Sequence, residues 1–504
     1  MLLADVVAAS AAVAATRSRS AKAVILAELL SRAASEAPSD VPTITSYLAG
    51  ALRQRRTGLG WRSLRDAPQP AVSPTLTVSD VHAAFEDLAS LAGAGSARAR
   101  TDATADLFAR ATAAEQRWLR AIVTGEVRQG ALDSLVQEGL AIAGGVPAAS
   151  VRRAAMMAGS TVDVAAAALT GGEEALAAFE LEVGRPVLPM LASTAPTIAA
   201  AMAKAGGGAV AIDTKLDGVR VQVHRRGDEV LVVTRSLDDV TSRHPEVVAL
   251  ARTLPGETVV LDGEVLAIGP DGRPRPFQET ASRAASATGV ELTPAFFDVL
   301  HLDGRDLTDE PTATRLEVLE SIVPAQFRAT RVVTADVAEA EAFAARALEL
   351  GHEGVVVKGL AAPYAAGRRG ATWVKVKPVH TLDLVVLAVE RGSGRRSEWL
   401  SNIHLGARDG DELLMLGKTF KGMTDQMLAW QTERFRDLQV ADDGYVVTVR
   451  PEQVVEIAFD GVQRSTRYPG GVALRFARVV RYRDDKTPAE ADTIDTVRTF
   501  LPPR

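Results

Sequence analysis

The 504-residue chain contains no cysteine. That excludes disulfides, a thiol nucleophile and any cysteine-based zinc site. Lysine is also scarce. Nine are present, at 22, 204, 215, 358, 375, 377, 418, 421 and 486, so 48 of the 57 basic residues are arginine. In such a chain a retained lysine marks a place where a compact ammonium or a nucleophilic amine is needed. No apolar run reaches the roughly 18 residues that a membrane span needs. Residues 1–15 are apolar, but they carry Asp5 and precede Arg17 and Arg19 instead of following a basic leader. They read as a helix, not a signal peptide, and a soluble cytoplasmic protein is expected. With a net charge of −6, charge alone does not mark a nucleic-acid binder.

The apolar content of 47% and charged content of 24% are ordinary for a globular protein, and the length calls for about three domains. Residues 1–185 have the alanine and leucine spacing of an all-α N-terminal domain. Thr77 with Asp80 looks like a capped helix start, and 113–122 and 151–169 continue the helical pattern. Arginines recur in its turns, at Arg53, Arg55, Arg56, Arg62 and Arg65, with Arg128 between glycines. Any one of them also fits a solvated helix face. Pro186 and Pro189 break the helical pattern. From 186 to 378 strand-like runs (230–234, 259–268) alternate with helical ones (337–350), as in an α/β (α+β) domain. From 379 to 504 short strands at 384–389, 413–416, 446–449 and 454–459 with one helix at 427–437 suggest a small β-barrel.

The chemistry centres on Asp213-Thr214-Lys215-Leu216-Asp217-Gly218-Val219-Arg220. The flanking β-branched runs read as two strands joined by a tight turn at Asp217-Gly218. A lysine at such a strand end can be partly desolvated, which favours the neutral, nucleophilic amine. Alone, the motif fits an exposed hairpin equally well. Downstream, however, Arg235 ends one strand, Glu264 lies within an apolar strand, and Phe297 sits beside a carboxylate. Glu353 and Lys358 bracket another strand, and Lys375 and Lys377 share one strand face. Two like charges on one face call for an anion between them. As a set these residues are equipment for phosphoryl or nucleotidyl transfer. Gly417-Lys418-Thr419 lacks the preceding glycine of a Walker A loop, so a nucleotide would bind in another way.

The ordered set resembles the covalent nucleotidyltransferases, and most closely the ATP-dependent DNA ligases. Lys215-Leu216-Asp217-Gly218-Val219-Arg220 matches the nucleophile motif of that family. The resemblance implies that Lys215 attacks ATP and carries AMP. Arg220 and Arg235 would contact the nucleotide and the nick phosphate, Glu264 the ribose, Phe297 the adenine, and Lys375 and Lys377 the α-phosphate. Asp213, Lys358 and Arg369 join the nucleotide site. Glu353, with Glu264, is expected at Mg²⁺, for which Mn²⁺ substitutes. The tail from Arg475-Phe476-Ala477-Arg478 through Arg481, Arg483, Asp485 and Lys486 looks like the last motif, which lies on a mobile C-terminal OB-fold β-barrel and orients pyrophosphate, with a hinge expected near Pro378. Arg56, Arg128, Lys418 and Lys421 are expected at DNA. The implied protein is a nucleoid-associated monomer that seals nicked double-stranded DNA, the all-α domain binding the duplex. An RNA ligase or a capping guanylyltransferase shares the core motifs, but the large N-terminal helical domain favours a DNA ligase, and a non-catalytic scaffold would need a degraded lysine motif where this one is intact.

Overall fold

The computed structural model describes residues 1–501 apart from 55, 65–66, 128–132, 287–288, 366–368, 393–395 and 397, and apart from the side chains of Arg62 and Arg369. Between residues 3 and 177 the described residues form ten α-helices and no strand. Two of the helices open on complete capping boxes, Thr77 with Asp80 and Thr112 with Glu115, which satisfy amides that the first turn leaves without partners. The helix expected over 151–169 is broken into Ala148–Ala158 and Thr161–Ala166. Gly159, at φ 71°, ends the first in a left-handed conformation that a side chain resists, and Ser160 caps the second. Leu26, Leu30, Ile44, Tyr47, Phe85 and Phe108 fill the core between the helices.

The central region is built from two five-stranded sheets. The first contains β1 (Leu191–Thr194), β2 (Val210–Lys215), β8 (Arg331–Thr334), β9 (Gly354–Gly359) and β10 (Arg369–Val376), in the order β1-β10-β9-β2-β8. The second contains β3 (Val219–Arg226), β4 (Glu229–Thr234), β5 (Thr258–Ala267), β6 (Leu292–Leu302) and β7 (Arg305–Asp306), in the order β4-β3-β5-β6-β7. Within both sheets only β1 and β10 pair in parallel. The region is therefore an antiparallel α+β arrangement. Helices Ile198–Lys204 and Val337–Glu349 bury their apolar sides on the first sheet. Pro245–Thr253 and Thr312–Ile322 do so on the second.

The hairpin expected around Lys215 does not form. β2 belongs to the first sheet and β3 to the second, and residues 216–218 cross between them. A two-residue type I′ hairpin turn needs positive φ at both central residues, and neither Asp217 nor Gly218 has it. Glycine is required at 218 for another reason: a Cβ there would lie 2.5 Å from both Leu266 Cδ2 and Val265 O. The crossover is pressed onto β5, and Lys215 is left at the junction of two sheets.

The C-terminal region is a curled sheet. β11 (His380–Arg391) pairs along its first half with β16 (Val454–Phe459) and along its second with β15 (Val446–Val449). β12 (Leu400–Asp409) and β13 (Glu412–Thr419) continue one edge, β14 (Gln439–Asp442) flanks β15, and β19 (Arg478–Arg483) flanks β16. β17 (Gly461–Arg464) and β18 (Val472–Arg475) form a separate ribbon. Register shifts in β11 and β12 supply the bends that curl the sheet. No strand pairing among the described residues closes it into a ring, so it is an OB-like curled sheet instead of a closed barrel. Helix Asp425–Asp437 inserts Leu428 and Phe435 into its core. No helix among the described residues is long and apolar enough to cross a membrane.

Candidate active site

Lys215 ends β2 with its Nζ 2.5 Å from Glu353 Oε2. The backbone sets this pairing, because the Glu353 N–H donates to the Lys215 carbonyl at 3.0 Å just before β9 begins. The other Glu353 oxygen accepts from Lys377 Nζ at 3.0 Å, and Lys377 also pairs with Asp460 of the C-terminal region. Burial alone would raise the Glu353 carboxyl. Lys215 and Lys377 outweigh it and hold the group below the usual carboxylate range. The C-terminal region makes a second contact here, as Arg475 Nη1 lies 2.6 Å from Asp217 Oδ2.

The facing wall comes from β3 and β5. Asp262 and Glu264 are two residues apart on β5 and so share a face. Asp262 grips Arg220 through Nε at 2.9 Å and Nη2 at 2.6 Å, while Glu264 accepts the Gly218 N–H at 3.3 Å. Burial pushes the Glu264 carboxyl up to about 7 against the pull of Lys215 and Arg220. The ring of Phe297 stands edge-on to Trp373 at 5.9 Å, with the Arg220 guanidinium 5.4 Å from its centre. Lys358 Nζ donates to the Phe297 carbonyl at 2.9 Å, pairs with Asp213 at 2.7 Å and lies 4.3 Å from the centre of the Trp373 ring. Burial would raise Asp213, but Lys358 and Arg331 overcome that and lower it.

These walls enclose a cavity of about 1290 Å³. A small-molecule site occupies roughly 300–1,000 Å³, so the cavity holds a nucleotide with space to spare. Eight cations line it (Lys215, Arg220, Arg235, Lys358, Lys375, Lys377, Arg475 and Arg478) against five carboxylates (Asp213, Asp217, Glu264, Glu353 and Asp460). A cationic cavity in a chain of net charge −6 is suited to a polyphosphate. Among the described residues no group of three or more histidines and carboxylates is placed to hold a metal ion.

The structure thus gathers Lys215, Asp213, Arg220, Arg235, Glu264, Phe297, Glu353, Lys358, Lys375 and Lys377. Of the last motif it brings Arg475, Phe476 and Arg478 to the cavity but not the later residues. Arg481 pairs with Glu456 at 2.7 Å, Arg483 with Asp383 at 3.0 Å and Asp485 at 2.7 Å, and Lys486 with Asp383 at 2.6 Å. Lys418 pairs with Glu390 on the curled sheet, and Lys421 lies 5.6 Å from the centre of the Phe476 ring at the cavity mouth. Arg56 is exposed in the helical region. Arg55, Arg65 and Arg128, and the side chains of Arg62 and Arg369, lie outside the described residues. Sequence reasoning missed Asp262, Trp373, Tyr364 and Asp460. Asp262 was legible, since it alternates with Glu264 on one strand.

Three family models match the chain: DNA ligase N terminus over residues 63–141, ATP dependent DNA ligase domain over 189–377, and ATP dependent DNA ligase C terminal region over 396–486. A "Probable DNA ligase" of Nocardioides sp. is 69% identical over 505 residues, covering 99% of each chain. One of Kineococcus radiotolerans is 63% identical over 500 residues, with the same coverage. The chain belongs to the ATP-dependent DNA ligases. Two solved structures, described as "Pmar-Lig_PreS3" and "Pmar-Lig_Pre.", share the ligase's fold over 95% of this chain and 99% of their own, with TM-scores of 0.62 and 0.64 at 19% and 18% identity. In this ligase the central match begins within the linker that leads into β1 and ends at Lys377, so Lys215, Glu264, Phe297 and Glu353 all fall inside it.

Proposed function

We propose that the ligase seals nicks in duplex DNA through an adenylate carried on Lys215. One observation carries this reading: an amine sits at the junction of two sheets, against a carboxylate and in a cation-lined cavity. In the first step Lys215 Nζ attacks the α-phosphorus of ATP. The bond to the β-phosphate oxygen breaks, pyrophosphate leaves, and AMP remains as a phosphoramide. Glu353, at 2.5 Å, is positioned to take the proton that the amine must lose. AMP then passes to the 5′-phosphate of the nick, and attack by the 3′-hydroxyl releases it.

Phe297 offers the face for adenine, and Glu264 accepts from the ribose. Lys375 and Lys377 neutralise the α-phosphate, and Asp213 anchors Lys358 behind the base. Glu264 and Glu353 fit Mg²⁺, which is commonly held by one or two carboxylates plus phosphate oxygens. Such an ion supplies charge neutralisation at the phosphates. The pairs that hold Arg481, Arg483, Asp485 and Lys486 would part as the C-terminal region turns about Pro378, bringing them to the pyrophosphate. Arg56, Arg128, Lys418 and Lys421 contact phosphates of nicked DNA, so binding weakens as salt rises.

The test is incubation with ATP labelled at the α-phosphate, with Lys215→Ala alongside. Label that survives denaturation on the wild type only is the expected result. No label, after pyrophosphate has stripped any resident AMP, would sink the covalent mechanism.

A further inference from the structure

Behind the cavity, a closed ring of hydrogen bonds ties the linker from the helical region to Arg220. The Met190 N–H donates to Tyr364 Oη at 3.0 Å, and the Tyr364 O–H donates to Asp262 Oδ2 at 2.6 Å. Asp262 accepts twice from Arg220, and Arg220 Nη1 returns to the Met190 carbonyl at 2.6 Å. Arg220 Nη2 also reaches Tyr364 Oη at 3.3 Å. Tyr364 is 2% exposed and Asp262 1%, so water does not compete for these bonds. Four of the five N–H donors of Arg220 are thereby occupied, and a single one, on Nη1, is left for a ligand.

The ring is the end of a longer ladder. Every second residue of β3 holds the linker backbone. Gln222 accepts the Val187 N–H at 2.9 Å and donates to its carbonyl at 3.2 Å. His224 Nδ1 accepts the Gly184 N–H at 3.1 Å, and Arg226 donates to the Val183 carbonyl at 2.7 Å. Arg220, Gln222, His224 and Arg226 share one strand face, and their partners on the linker are Met190, Val187, Gly184 and Val183 in turn. The ladder therefore runs from the helical region to the nucleotide cavity. The Tyr364 ring already packs edge-on against Trp373 at 5.8 Å. That packing does not need the hydroxyl, which serves only the ring of hydrogen bonds.

We propose that Tyr364 is a positioning residue: acting through Asp262 and the peptide of Met190, its hydroxyl aims the remaining Arg220 donor at the nucleotide and makes the linker part of the nucleotide site's wall. This inference rests on the reading of the cavity as the ATP site. A phenylalanine at 364 keeps the ring packing, leaves the Met190 N–H without its acceptor and lets the Arg220–Asp262 pair tilt.

The experiment measures ATP affinity by calorimetry in the full-length Lys215→Ala chain, which cannot form the adduct. Tyr364→Phe is introduced there with and without Arg220→Ala. Removing one hydrogen bond in a charged network should weaken ATP binding about tenfold when Arg220 is present. It should weaken binding less than about twofold when Arg220 is absent, because the hydroxyl then has nothing to aim. Equal weakening in both backgrounds, or none in the first, overturns the proposal. Asp262→Asn, of the same size, supplies the same cycle with the same two outcomes should the phenylalanine chain fail to fold. If the parent binds no ATP and the wild type gains no label, the reading of the site falls and takes the proposal with it.

Discussion

Two ion-pair clusters that involve the central region are built to opposite rules. Arg315 and Asp298 are wholly buried and paired at 2.8 Å. Arg315 gives its remaining donors to Glu310 O, Ala362 O and Thr312 Oγ1, so every polar atom on the guanidinium is satisfied. Lys215, Glu353, Lys377 and Asp460 form the other cluster. Here each inner member shares its charge between two partners, side chains are up to 20% exposed, and one partner comes from the C-terminal region. A closed pair of the first kind fixes packing. An open chain of charges of the second kind can exchange partners, as a site that receives a polyphosphate and gives up a proton must. Ion pairing alone therefore does not mark a catalytic group. What separates the two clusters is whether the pair is saturated and whether it faces the cavity.

The sharpest way to break that comparison is to remove one cation from each cluster. Lys215→Met should abolish the labelled adduct and lower ligation at least about a thousandfold, while the melting temperature moves little, because Glu353 keeps Lys377. Arg315→Met should do the reverse. It leaves Asp298 buried without a partner and should lower stability in urea by about 3–5 kcal/mol, with the KM for ATP unchanged in the protein that remains folded. Adding Asp298→Leu should recover most of that loss. A Lys215 variant that unfolds, or an Arg315 variant that binds ATP poorly at full stability, would erase the distinction.

Much of the site was legible in the sequence because its parts are local. The residues around Lys215, Glu264 and Glu353 each lie on or beside one strand, and alternation fixes which neighbours share a face. What stayed hidden depends on pairing between distant segments. The Asp217-Gly218 step reads as a hairpin turn until the tight contact of Gly218 with Val265 and Leu266 is known. Asp460 reaches the cavity only because the C-terminal region folds back onto it. The last motif was read as orienting pyrophosphate, and here its first arginines, Arg475 and Arg478, line the cavity while Arg481, Arg483 and Lys486 pair within their own region through Glu456 and Asp383. The break at Gly159 was legible as a glycine before a serine, but the apolar periodicity running through it was given more weight.

Acid titration sharpens the comparison further, because two buried groups of one sheet, His224 away from the cavity and Glu264 on its wall, respond to different observables. Burial pushes His224 down to about 4, with His301 adding to the effect. It is a base held neutral in the fold and charged in the unfolded chain below about 6.5. The unfolded state then binds the extra proton, so stability falls as pH drops from about 6.5 towards 4. The urea midpoint at pH 5 should report a loss of about 2 kcal/mol relative to pH 7.5, and a flat profile would contradict it. Glu264 should appear in the rate instead. With its carboxyl pushed up to about 7, the ionised form declines as pH falls through that value. The rate of adduct formation should drop about tenfold between pH 8 and pH 6. Glu264→Gln should be slow and should lack this limb, and a limb that persists in the variant would assign it to another group.

The smallest effect is expected at a pair that is neither closed nor catalytic. Arg153 of the helical region meets Asp309 of the central region at 3.0 Å, with the two side chains 36% and 69% exposed. Exposed pairs contribute only about 0–1 kcal/mol, because water screens them and two long side chains lose freedom in forming them. The linker carries the junction instead, through buried backbone hydrogen bonds to Gln222 and His224 and through the apolar contacts of Val187 and Met190. Asp309→Ala should therefore lower stability by less than about 1 kcal/mol and leave adduct formation and ligation unchanged, whereas Gln222→Ala should cost about 1–3 kcal/mol by leaving the Val187 N–H and carbonyl buried without partners. Urea denaturation of the two variants decides between the junctions, and a larger loss from Asp309→Ala would move the clasp from the linker to the surface.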